Sequence, residues 1–259
     1  MSNNLIELIQ KLKKFKTAIE CTNNKEDFLK QMNELWLFFN NYNDIKTFEL
    51  FYDTPEFIIF KEFFQAQDSV FEPELDKYEA MVFLKNHSGG DILKKLNYFS
   101  KSVFIQIEEE IEAIERTNIK KLVMIGCGSM PETVIFLAQN MNIKEIIALD
   151  SDFNAVLLAR EVIYQLKLSH KVDVQHSLGE DYDYFDADYV HIASFVQRKK
   201  EILYQISKVK KRGVKVIVRT PELLSTLVHE DIPHNTPLYF KKKVKKNRGF
   251  CSFSIFETL

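Results

Sequence analysis

From Lys120 onward the chain alternates short β-branched runs with helical stretches, and this limits the fold more than any other feature. The runs are 121–125 (KLVMI), 145–149 (EIIAL), 171–175 (KVDVQ), 189–193 (YVHIA) and 214–218 (VKVIV), with helix-like segments at 132–140, 154–168 and 199–210. Strands separated by helices predict a parallel sheet covered on both faces. Two further runs, 238–244 and 250–256, flank Lys245-Lys246-Asn247-Arg248-Gly249 and predict an antiparallel hairpin that closes the sheet. The lysines of 241–246 with Arg248 read as a charged hairpin that protects a sheet edge. A nucleic-acid surface is the competing reading, and a net charge of −2 counts against it.

The first part of the chain has a different texture. Before Gly126 the only glycines are Gly89 and Gly90, and the only prolines are Pro55 and Pro73. Such scarce punctuation predicts long helices with short joints. Apolar residues recur at steps of three and four, as in Leu5, Leu8, Ile9, Leu12, Phe15 and again in Phe28, Met32, Leu35, Phe38, Phe39. Asp53-Thr54-Pro55-Glu56 reads as a helix start and His87-Ser88-Gly89-Gly90-Asp91 as a break before a helix over 92–115. Fourteen of the 22 phenylalanines lie in the first 104 residues, which reads as bundle core. The expected organisation is an all-α helical-bundle domain over 1–117 followed by an α/β, Rossmann-like domain over 118–259.

A hydrophobic content of 46% supports a real core. The three cysteines form no C-x-x-C pair, which predicts neither a disulfide framework nor a zinc site and fits a reducing cytoplasmic compartment. The N-terminus lacks a signal peptide's apolar core, and no run approaches the ~18 apolar residues of a membrane span. The sequence thus predicts a cytoplasmic protein without membrane or nucleic-acid partners, and the aromatic-rich helical part is compatible with a homodimer.

Gly126-Cys127-Gly128-Ser129-Met130-Pro131 follows a strand and opens a helix. Glycines there let the backbone pass close to a ligand, and the helix start offers free N–H groups. Asp150 follows Gly128 by 22 residues, at a strand end, and is placed to accept hydrogen bonds from the ribose of an adenosine. A dinucleotide fingerprint wants a third glycine where this chain has Pro131, so NAD is disfavoured. S-adenosylmethionine, which has no phosphate, is the expected co-substrate, and a fold of that type without ligand is the alternative. Ordinary methyltransferases usually carry an acid two residues before the first glycine and another glycine at the fifth loop position. Here those places hold Met124 and Met130.

The stretch from Gly126 to Thr133 resembles the G-S-G-x-x-P-x-T loop of nicotianamine synthases and of their bacterial relatives that make staphylopine-type opine metallophores. The similarity continues through 147–160 (IALDSDFNAVLLAR), 188–194 (DYVHIAS) and 216–220 (VIVRT), from about Leu96 to the C-terminus. The resemblance implies transfer of the 3-amino-3-carboxypropyl (aminobutanoyl) group of S-adenosylmethionine to the amine of a small amino-acid substrate. Methylthioadenosine leaves, and the product serves metallophore biosynthesis. It also implies cofactor contacts from Gly126, Cys127, Gly128, Pro131, Thr133, Asp150 and Ser151. In the family an acid and tyrosines from the helical side contribute to the site. The stretch matched here is Tyr98-Phe99 and then Glu108-Glu109-Glu110, with Glu109 or Glu110 the expected base and Tyr98 beside it; a solvated helix face is the plain alternative. Arg219, followed by Thr220-Pro221-Glu222-Leu223 where plant and archaeal synthases tend to have S-A-x-G, fits the divergent bacterial branch. It is either a carboxylate-binding residue or a structural one.

Three more positions come from the fold type. His176 and Ser177, after the third strand, lie where adenine is usually contacted, and Ser194 ends the fourth strand. His191 reads as a satisfied sheet histidine, Cys127 lacks a partner histidine for a catalytic thiol, and no cluster predicts a metal site. Two other functions compete: a small-molecule methyltransferase, and a non-catalytic binding protein of the same fold.

Overall fold

The computed structural model describes residues 2–86, 98–113, 119–209, 211–232, 235–245 and 251–258, of which 98–103 are described by backbone alone. The chain divides into two compact units. One comprises Met1–Leu75 with Pro221–His229, the other Asp76–Thr220 with Glu230–Leu259.

The first unit is helical. Helix α1 (Asn3–Glu20) is capped by Ser2, α2 (Lys25–Asn41) by Asn24 and α3 (Ile45–Tyr52) by Asp44, each side chain accepting a backbone N–H of the first turn. Helix α4 (Pro55–Asn86) begins on its proline, as Asp53-Thr54-Pro55-Glu56 predicts, since an N1 proline loses no hydrogen bond. It continues past Pro73, which cannot donate back to Ser69. The apolar steps read from the sequence lie inside: Leu5, Leu8, Ile9, Leu12, Met32, Leu35 and Phe39 are buried. Phe39, Phe60 and Phe64 interlock, with centroid distances of 5.7 Å for Phe39–Phe64 and 5.8 Å for Phe60–Phe64.

One polar pair lies in this core. Trp36 Nε1 donates to Asp68 Oδ1 at 2.8 Å, and burial pushes the Asp68 carboxyl up to about 7 against the pull of that hydrogen bond. A carboxyl raised this far binds a proton in the folded state that the unfolded chain releases near pH 4. Its contribution therefore falls as pH rises from about 4 to about 7. Asp68→Asn keeps an acceptor for the indole and removes the buried charge. It is expected to raise unfolding free energy by about 1–3 kcal/mol at pH 8 and by little at pH 4, measured by urea titration.

The second unit holds the sheet. After α5 (Tyr98–Ala113), β1 (Lys121–Ile125), α6 (Glu132–Asn140), β2 (Glu145–Asp150), α7 (Phe153–Gln165), β3 (Val172–His176), β4 (Tyr189–Ile192), α8 (Lys199–Ser207) and β5 (Lys215–Thr220) alternate as the sequence predicts. The sheet ends with β6 (Tyr239–Val244) and β7 (Ser252–Glu257), in the spatial order β3-β2-β1-β4-β5-β7-β6. The five parallel strands pair in register, and β7 runs antiparallel to both β5 and β6. The hairpin therefore closes the sheet by inserting its second strand beside β5, which leaves β6 at the edge. Edge strand β6 exposes Lys241, Lys242 and Lys243, a charged rim of the kind that prevents edge pairing.

Alternate residues of the central strands enter two cores. Leu122, Met124, Ile146, Ala148 and Ile217 pack with Ile107 and Ile111 of α5 and with α6 and α7. Val123, Ile125, Ile147, Val190 and Val216 pack with Ile202, Leu203 and Ile206 of α8.

The boundary between units differs from the one expected at 117/118. It falls at Leu75/Asp76, inside α4, because the end of that helix (Ala80, Phe83 and Leu84) joins the core of the sheet unit. The segment Pro221–His229, beyond β5, joins the helical unit, where Leu224 and Leu227 are buried. The expected break at 87–91, the start of the helix after it and the tip of the hairpin lie outside the described residues. Among the described residues no helix is long and apolar enough to cross a membrane.

Candidate active site

Strand β1 leads to β2 on one side and has β4 on the other, so the crevice where the strand order reverses opens at its C-terminal end. The glycine loop leaves β1 there. Gly126 and Gly128 have φ of +75° and +70°, a conformation that side chains resist. The N–H groups of Gly126 and Cys127 donate to Leu149 O at 2.9 and 3.0 Å, tying the loop to the end of β2.

Asp150 braces the loop from that neighbouring strand. Its Oδ2 accepts from Gly128 N at 2.8 Å and its Oδ1 from Asp152 N at 2.9 Å. Burial raises its pKa, and those N–H groups oppose the rise. Each carboxylate oxygen keeps lone-pair capacity beyond these bonds. Beside it, His176 Nε2 is 3.0 Å from Ser151 O, and the His176 ring stands edge-on to Phe153 at 5.6 Å. Ser177 donates its N–H to Asp150 O at 3.0 Å. Asp150, Ser151, His176 and Ser177 thus form one cluster at the ends of β2 and β3, with the half-exposed ring of Phe153 as a further member. An acceptor beside an open aromatic face suits a nucleoside. Pro131 stands at the N-cap of α6, and Thr133 is buried in that helix's first turn.

One acid from α4 reaches the same loop. The Asp76 carboxylate accepts from Ser129 N and, at 3.2 Å, from Met130 N. A Cβ added to Gly128 would come within 2.6 Å of Asp76 Oδ2, so the glycine makes room for this carboxylate. Burial raises Asp76 to about 6 despite the two amides, and the charge of Asp150 adds to the rise. Glu79 follows three residues later on the same helical face. Burial, and then the charge of Asp76, raise it to about 7, and its Oε1 is buried without a hydrogen-bond partner among the described residues. Cys127 feels the same surroundings: burial first, then the charges of Asp150 and Asp76, push its thiol well above the ordinary range, so it stays protonated.

The glutamates expected from α5 have different surroundings. Glu110 is buried and spans two partners: Arg219 Nε and Nη2 donate to its Oε1 and Oε2 at 2.7 and 3.0 Å, and His191 Nε2 lies 2.8 Å from Oε2. Gln106 Nε2 donates to Oε1 as well, at 3.1 Å. Burial alone would raise Glu110, but the Arg219 charge and His191 outweigh it and hold the carboxyl at about 2. A carboxylate so acidic, with both oxygens engaged, is a poor proton acceptor. Glu110 therefore pins α5 to β4 and β5, and Arg219 is its counter-ion. Glu109 is buried on the same helix. Ser194, at the end of β4, is buried, with Oγ 3.7 Å from Cys251 Sγ and its carbonyl accepting from Lys199 Nζ. The Tyr98 side chain lies outside the described residues.

The structure thus gathers the predicted glycine loop, Asp150, Ser151, His176 and Ser177. It joins Glu110 and Arg219 to each other as a buried ion pair, and it brings Asp76 to the loop and Phe153 to His176. Asp76 and Glu79 lie in an acid-rich stretch some 50 residues before the loop, and no sequence spacing ties them to it.

No protein-family model and no curated protein matches the sequence. Solved structures do share the fold. A glutamate-to-glutamine variant of the nicotianamine synthase MtNAS in complex with S-adenosylmethionine has a TM-score of 0.83 at 15% identity, over 97% of this chain and 98% of that one. MtNAS in complex with MTA and tNA has a TM-score of 0.84 at 15% identity, over 96% and 97%. The fold of this chain is therefore the mixed α/β fold of those structures, helical part included.

Proposed function

We propose that the protein is an S-adenosylmethionine-dependent transferase that moves the 3-amino-3-carboxypropyl group to the amine of a small amino acid. The observation that carries this reading is the Asp76 carboxylate on the amides of a glycine loop that has Met124, and no acid, on its own strand, with Glu79 one helical turn further along α4. A full-length likeness in fold to MtNAS, solved with S-adenosylmethionine, supports it.

The residues fit the co-substrate. Asp150, with lone pairs to spare, would accept from the ribose hydroxyls, and Phe153 with His176 would flank the adenine. The sulfonium supplies an activated methionyl γ-carbon. The chain must bring a neutral amine to it and take up a proton. Glu79, raised to about 7, is matched to that proton at neutral pH. The amine nitrogen bonds to the γ-carbon, the carbon–sulfur bond breaks, its electron pair stays on sulfur in methylthioadenosine, and the amine proton passes to the Glu79 carboxylate. Biosynthesis of an opine-type metallophore is the role this product chemistry fits.

Incubated with S-adenosylmethionine and a panel of free amino acids, both enantiomers of histidine included, the protein is expected to release methylthioadenosine. Chromatography of the nucleoside product checks this. S-adenosylhomocysteine with a methylated acceptor would make it a methyltransferase, and ligand binding without turnover would make it a binding protein.

A further inference from the structure

We infer that Asp76 is a positioning residue: its carboxylate, seated on the amides that open α6, locks the end of α4 onto the glycine loop and so aims Glu79. The inference rests on the function proposed above. Three observations carry it. The Asp76 oxygens are taken by the N–H groups of Ser129 and Met130, which a ligand anion would otherwise claim. Gly128 leaves space for that carboxylate and for nothing larger than hydrogen of its own. Ala80, fully buried, belongs to the same core as Cys127 and Met130, so this end of α4 shares a core with the loop. Asp76 and Glu79 are three residues apart, so fixing one fixes the direction of the other.

Three charged or titratable groups are placed close to the pair among the described residues. Lys77 on α4 is bound to Asp152 at 2.7 Å, Asp150 lies behind the loop, and the Cys127 thiol is protonated. Asp76 therefore also supplies the negative charge that adds to burial in raising Glu79.

Two substitutions separate positioning from plain structure. Asp76→Asn keeps an acceptor for the amides and removes the charge. Its turnover is expected to fall about tenfold or less, and the acid limb of its kcat–pH profile to move to lower pH, because Glu79 loses its like-charged neighbour. Asp76→Ala, which also removes the acceptor, is expected to lose about 10²-fold in kcat, with affinity for S-adenosylmethionine within a few-fold of the parent. An unmoved pH profile in Asp76→Asn overturns the inference. So does tighter S-adenosylmethionine binding with undiminished turnover, which would make Asp76 a plug in the anion site. If the parent protein makes no methylthioadenosine at all, the proposed function fails instead, and the two failures are told apart by that control.

Discussion

Glu79→Gln is expected to bind S-adenosylmethionine as the parent does and to turn over about 10²–10⁴-fold more slowly, the usual worth of a placed general base. Glutamine is isosteric and cannot take a proton, so kcat should carry the loss while affinity measured by calorimetry stays put. With the carboxyl raised to about 7, turnover by the parent should rise with pH to a limb near neutrality. In the variant that limb disappears, and the rate climbs with hydroxide as free amine accumulates. Equal turnover in the parent and Glu79→Gln would remove Glu79 from the chemistry.

The second large effect concerns stability. Glu110→Ala leaves the Arg219 guanidinium, which is always charged, buried without its carboxylate. Breaking a buried pair in this way costs about 3–5 kcal/mol, and the urea midpoint should fall accordingly. The pH dependence has a definite sign. The folded-state pKa of about 2 lies below the ordinary carboxyl value, so the stabilisation is complete above about pH 4.5 and is lost as pH falls toward 2. Glu110→Leu combined with Arg219→Met should recover most of the loss, since it removes the buried guanidinium charge as well. A Glu110→Ala protein as stable as the parent but without turnover would return Glu110 to the catalytic candidates.

The sheet was legible in the sequence because its evidence is local. Each strand carries its own β-branched run, and the predicted 121–125 and 132–140 match β1 and α6 residue for residue. The nearness of Asp150 to the loop was legible too, since its spacing from Gly128 is fixed by one strand–helix–strand unit. The partners of Glu110 were not legible, because a glutamate triplet does not show what each member faces. Only the facing Arg219 and His191, 109 and 81 positions away, decide that. Asp76 and Glu79 were invisible for a related reason. Nothing in a long helix announces that its last three turns leave one core and enter another, and the signal that survives, a small Ala80 followed by Phe83 and Leu84, is weak without the loop beside it. The insertion of β7 next to β5 is likewise a matter of pairing partners, which hairpin spacing leaves open.

The excursion of Pro221–His229 into the helical unit has a temporal consequence. A ribosome delivers α1, α2 and α3 early, yet the strip that buries Leu224 and Leu227 among them emerges only after β5. The front helices therefore cannot mature as a self-sufficient module while the sheet is being made; they wait with part of their apolar surface uncovered until the strip after β5 has emerged. Neither unit is completed before β5 and the strip after it are made, so a nascent chain stalled before residue 229 should be bound by holdases, and a gene cut at the apparent domain border should yield insoluble halves.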